Sequence, residues 1–174
     1  MSYIFTVDLE VESLRDEIYK RIDLIYDAIC DAQSVWMRMV AKAEVNRTSM
    51  DERTNYELRI GFSGPSFVVK WYSFQFVRHG NKQTRVMKAL AVPESGKYTQ
   101  SQFKKAQAWE LDLINSVEES ISPYRVQLKH LMKMHQTMLH LGKASNRPVT
   151  AIPINERVTK PSYSISDYKN RYRR

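Results

Sequence analysis

Apolar and polar residues alternate at the start of the chain, in Phe5-Thr6-Val7-Asp8-Leu9-Glu10-Val11, which predicts a short strand. The period then lengthens. Leu14, Ile18, Ile22, Ile25, Ile29, Trp36, Met39 and Val40 recur at helical spacing, with Asp16, Glu17 and Lys20 elsewhere, so a long helix is expected from a Ser13 cap to about Val45. The polar stretch 46–55 reads as a loop. Alternation returns from Tyr56 to Phe62, Ser63-Gly64-Pro65 turns the chain, and residues 67–77 are nearly all apolar or aromatic. His79-Gly80-Asn81-Lys82 forms a hairpin turn into a third strand, Thr84 to Val92, closed by Pro93. Three strands with such short turns predict an antiparallel meander rather than a βαβ unit.

A second helical region is expected from near Ser101. Its apolar stripe runs through Phe103, Ala106, Trp109, Leu113, Val117, Ile121, Leu128, Leu131 and Met138, and Gly142 is placed to end it. Ser122-Pro123 interrupts the stripe, either as a kink, the preferred reading, or as the start of a separate helix. Beyond Lys143, Pro148, Pro153 and Pro161 punctuate a polar, basic segment. The predicted fold is therefore α+β. Long N-terminal and C-terminal helices pack with a three-stranded antiparallel sheet in one domain, residues 1–142, and residues 143–174 follow as a basic tail, extended or disordered.

Charge sharpens this picture. The chain carries 27 Lys/Arg against 19 Asp/Glu, a net charge of +8, and the balance is segregated. Residues 1–57 sum to −5, residues 58–105 to +8 with Glu94 as the only acid, residues 106–142 to −1, and residues 143–174 to +6. Such blocks form an electrostatic footprint for a polyanion. No basic amphipathic helix with an open apolar face appears, so nucleic acid is preferred over a membrane surface. Acidic residues interrupt the N-terminus before a signal-peptide core could form, and no stretch approaches a membrane span. The lone Cys30 makes no internal disulfide and is expected as a small buried hydrophobe in a protein of the reducing cytoplasm.

Chemistry of the enzymatic kind is not indicated. His130, His135 and His140 are five residues apart, so each turns about 140° from the last and one helix cannot bring them to a shared metal. Asp23, Asp27 and Asp31 align on one helix face and read as solvated charge. Phosphate loops, paired cysteines and nucleophile elbows are missing, so no enzyme and no cofactor are predicted. In the central strand Lys70, Tyr72, Phe74 and Phe76 share one face, and Trp71, Ser73, Gln75 and Val77 the other. The strand is loosely similar to an RNA-recognition signature, without its glycine or its βαββαβ order. The more aromatic face is expected in the core and the Trp71 side in solvent.

The richest segment is residues 96–110. Thr99 and Ser101 can cap a helix, and Lys97, Lys104 and Lys105 crowd its positive end, where a cation gains nothing from the macrodipole. An external phosphate or a merely solvated basic helix start both fit. The segment from about Val69 to Leu141 resembles the MobI family of conjugative-transfer proteins. Trp71 and Tyr72 in a strand, a hairpin, then Gly96, Tyr98, Ser101, Phe103, Lys104, Ala106, Trp109 and Glu110 carry the resemblance. It implies an auxiliary factor that acts at the origin of transfer and helps a relaxase begin mobilization.

The expected protein is thus a non-enzymatic accessory that binds double-stranded DNA at the origin, alongside a relaxase or other transfer proteins. The competing readings are a helical interaction or regulatory protein without direct DNA binding, and an RNA-binding module. Phosphate contacts are expected from Arg78, Lys82, Arg85, Lys88, Lys97, Lys104 and Lys105, extended by Lys169, Arg171, Arg173 and Arg174 in the tail. The long second stripe, with the two-fold symmetry of many DNA sites, further predicts a homodimer.

Overall fold

The computed structural model describes residues 10–49 and 52–174. Helix α1 (Val11–Asn46) leads into a sheet of β1 (Tyr56–Ser63), β2 (Ser66–His79) and β3 (Lys82–Ala89), followed by α2 (Ala108–Ala144) and a short α3 (Ile165–Tyr172). The sheet is antiparallel in the order β1-β2-β3, so the α+β meander is as the periodicities predict. Most of the first predicted strand lies outside the described residues. Val11, its last residue, is helical and buried, and the helix begins after Glu10 rather than at a Ser13 cap.

Burial follows the pleat. Leu58, Val69, Trp71 and Phe67 face the helices and are fully or almost fully buried. Trp71 meets Trp36 of α1 edge to face at 5.6 Å between ring centroids, and Phe103 at 5.7 Å. Lys70, Tyr72, Phe74 and Phe76 therefore point away from the core, which reverses the expected faces. The early half of β2 decides the matter: Phe67, Val69 and Trp71 pair with Phe62, Ile60 and Leu58, while Lys70 and Tyr72 pair with Arg59 and Glu57. Two charged partners cannot enter an apolar core, so Trp71 does.

Helix α2 is continuous through Pro123, so no separate helix starts at Ser122. Pro123 and Glu119 are both exposed, which leaves the carbonyl that lost its donor on the wet side. Gly142 lies inside the last turn of α2 rather than after it. A Cβ there would stand 2.8 Å from the Arg147 carbonyl oxygen, so glycine is required by close approach of the returning chain.

The segment after Lys143 is placed against the body, where an extended or disordered tail was expected. Ile154 is fully buried, and its amide donates to the Gly64 carbonyl at 2.9 Å. Arg157 pairs with Asp23 at 2.9 Å, and Lys169 with Glu44. Ser164 caps α3, whose buried Tyr168 shares a 2.8 Å hydrogen bond with Ser34 of α1. Asp23 is thus an ion-pair partner, while Asp27 and Asp31 are exposed as expected. Apolar residues of a polar segment (Ile154, Tyr168) fix it, and composition alone understates them.

One buried ion pair joins α2 to the sheet. Glu118 and Arg125, two turns apart, pair in two parallel bonds of 2.7 and 2.8 Å, with side chains only 2% and 6% exposed. Breaking such a pair by removing one partner costs about 3–5 kcal/mol. Arg125→Met should accordingly lower the free energy of urea unfolding by about that amount, whereas exposed Lys129→Met should move it by less than about 0.5 kcal/mol.

Candidate nucleic-acid interface

The signature from Gly96 to Glu110 is mostly structural. Gly96 adopts φ +77°, and a Cβ there would lie 3.1 Å from Val126 Cγ2. Its carbonyl accepts from Arg125 at 3.0 Å. Tyr98 is buried; its amide donates to Glu118 at 3.1 Å and its hydroxyl to the Leu90 carbonyl at 3.1 Å. Phe103 fills the aromatic cluster of Tyr56, Trp71 and Tyr98. Thr99 precedes only the short 3-10 turn Gln100–Gln102, and α2 begins at Ala108, so the expected lysine-ringed helix start does not form. Lys104 and Lys105 lie in the connection before it.

The first turn of α2 is already occupied from within. Glu110, fully buried, accepts the amides of Asn55 at 2.8 Å and Tyr56 at 3.0 Å. Burial pushes its carboxyl up to about 7, against the pull of those two amides toward the ionised form. Asn55 also donates to the Lys105 carbonyl at 2.9 Å, so the backbone beneath the lysines is fixed.

The hairpin carries the open basic surface. β1 pairs with β2 only as far as Ser73. Beyond it, residues 74–79 of β2 pair with 82–87 of β3 alone, a two-stranded ribbon in which residues 76–86 are all exposed. Arg78 sits opposite Gln83, and Lys82 opposite His79, at the tip. Arg85, opposite Phe76, shares the outer face with Arg78; Lys88, opposite Ser73, shares the other with Lys82. Lys97, Lys104 and Lys105 are exposed in the connection. Among the described residues no ion pair holds Arg78, Lys82, Lys88, Lys97, Lys104 or Lys105, whereas Arg85 lies 4.0 Å from Glu57.

The tail cations have different surroundings. The Lys169 ammonium is paired with Glu44; burial works against that carboxylate, yet the ammonium and Thr54 hold its pKa below the usual range. Arg171 lies over Tyr168, and Arg173 and Arg174 are exposed. Glu44 also accepts the Thr54 amide at 3.2 Å, which ties α3 to the loop before β1.

That loop holds a residue the sequence reading passed over. Arg53 stacks on Phe76 at 4.4 Å, as Arg85 does on Phe74 at 3.4 Å and Arg59 on Tyr72 at 5.7 Å. The alternation of Glu57 and Arg59 in β1 was the signal for this outer face. The histidines do not converge: His135 is buried against the Tyr19 hydroxyl at 3.0 Å, while His130 and His140 are exposed. No metal-binding group of His, Cys, Asp or Glu occurs among the described residues.

A two-stranded basic ribbon and a basic connection are thus carried on a small α+β scaffold. The family model described as MobI protein matches residues 25–139, and the chain belongs to the MobI family, which makes it a mobilization-related protein. The match extends beyond the signature to most of α1. Curated proteins and solved structures give no match. Among the described residues no helix is long and apolar enough to cross a membrane.

Glu110 generates a pH dependence. Its folded-state value, about 7, exceeds the ordinary 4.5, so between those pH values the folded chain binds more protons than the unfolded one. Its contribution to stability therefore falls as pH rises through that window. A pH series of urea midpoints should show this component in the parent chain and its loss in Glu110→Gln.

Proposed function

We propose that the protein is a non-enzymatic accessory of bacterial conjugative transfer that binds double-stranded DNA at the origin and assists a relaxase. The observation that carries this reading is the projecting ribbon, with Arg78 and Lys82 at its tip and unpaired lysines in the connection beside it. Six residues of ribbon reach about 20 Å, and the major groove, about 12 Å wide, admits a two-stranded ribbon. The cations supply phosphate contacts that position the ribbon without reading sequence. A merely regulatory helical protein has no use for a bare basic ribbon, which ranks that reading second.

The chain acts in this proposal as a homodimer. The apolar stripe of α2 leaves little for a second subunit, because Ile114, Val117, Ile121, Leu128 and Met138 are all buried within one chain. What supports a dimer is the exposed apolar group Leu24, Val126 and Met134 along the α1–α2 groove. Light scattering at micromolar concentration should give twice the chain mass, and a monomer mass rejects the dimer.

Gel shifts with origin duplex, unrelated duplex and RNA test the main reading, with tightest binding expected for the origin. Each lost phosphate contact should flatten the salt dependence by about one unit of log–log slope. Arg78→Ala/Lys82→Ala and Lys104→Ala/Lys105→Ala should each weaken binding to all duplexes and leave the unfolding midpoint within about 0.5 kcal/mol of the parent. Unchanged affinity and slope in both double variants would place the contact on another face.

A further inference from the structure

Building on the DNA-binding reading above, we infer that the outer face of the sheet is a stacking platform for single-stranded DNA, separate from the phosphate contacts of the ribbon tip. Core packing does not explain this face. Tyr72 is partly open and Phe76 is 42% exposed, although aromatic side chains of this size favour burial. Each is instead covered by a guanidinium, Arg59 at 5.7 Å and Arg53 at 4.4 Å from the ring centroid. An exposed cation–π contact is weak, and a nucleobase can replace it: the base stacks on the ring while the freed arginine swings to the neighbouring phosphate. Phe74 is not offered, since Arg85 lies 3.4 Å from its centroid and the residue is 8% exposed.

Geometry selects the single strand. Tyr72 and Phe76 lie four residues apart on one strand, so they share a face and stand about 13 Å apart along it. Rings open on the face of a sheet can stack on bases that are already unstacked; a duplex keeps its base faces inside. The charge agrees, because Arg53 and Arg59 cover the two rings and Glu57, opposite Tyr72, is an acid on that face. A factor acting where strands part would need both surfaces, one for the closed duplex and one for the opened strand.

Fluorescence anisotropy with labelled dT20, a 20-base-pair duplex and rU20 tests the assignment on the full chain. The parent should bind dT20, and Phe76→Leu and Tyr72→Leu should each weaken it about tenfold, the order of one lost base stack. Both variants keep apolar bulk, so the thermal midpoint should stay at the parent value; Tyr72 lies outside the ribbon, so Tyr72→Leu should also keep the parent's duplex affinity, and Phe76→Trp should retain dT20 binding. Phe76→Leu binding dT20 like the parent overturns the platform, as does a parent chain that binds duplex but not dT20; in that second case the duplex reading stands. Binding of neither DNA sinks both. Tighter binding of rU20 than of dT20 by tenfold overturns the choice of DNA.

Discussion

The seating of Trp71 and the course of the connection after β3 depend on the Glu118–Arg125 pair. Two charges inside a protein are tolerable only when their remaining donors and acceptors are also satisfied. Here they are. Glu118 also accepts from the Trp71 indole at 2.7 Å and from the Tyr98 amide, and Arg125 donates to the carbonyls of Val69 at 3.1 Å and Gly96. One salt bridge thereby sets the height of α2 over β2, seats Trp71, and fixes the connection that displays Lys97, Lys104 and Lys105. The cost of burying the pair is offset by specificity: a slip of α2 along the sheet would take the Trp71 indole and the Val69 carbonyl from the pair and leave its remaining donors and acceptors unsatisfied.

From this constraint the legibility of the sequence can be understood. Element types and the meander followed from period alone, since strands of period two and helices of period 3.6 leave different marks. The two faces of β2 did not, because its aromatic residues change sides along its length. Phe67, Val69 and Trp71 sit on the core parity, and Phe74 and Phe76 on the other. A single strand read by aromatic content averages over that change. Its partner resolves it, since Leu58 and Ile60 against Glu57 and Arg59 state the parity without ambiguity.

The signature residues mislead for a related reason. Gly96, Tyr98, Phe103 and Glu110 look like a helix start open to an anion, yet each has an internal partner that lies far away in sequence. Gly96 meets Arg125, Tyr98 meets Glu118, and Glu110 meets Asn55 and Tyr56. Long-range pairing of this sort leaves no local periodicity to read. The exposed lysines between those residues, by contrast, were legible, because a side chain with no internal role is described adequately by its own chemistry.

The segregated charge then acquires a structural meaning. The acidic block of α1 and the basic block after Lys143 meet in two ion pairs: Asp23 holds Arg157, and Glu44 holds Lys169. Their opposite charges draw the last segment onto α1 and cancel locally, so their fields beyond a Debye length, about 8 Å at physiological salt, are small. Among the described residues the block of residues 58–105 has no such counterpart beyond Glu57, which Arg59 and Arg85 share at 3.1 and 4.0 Å. The uncompensated field of the molecule therefore emanates from the ribbon and the connection. On the proposed reading, a polyanion that comes within a Debye length of that side meets the ribbon tip and the aromatic face together.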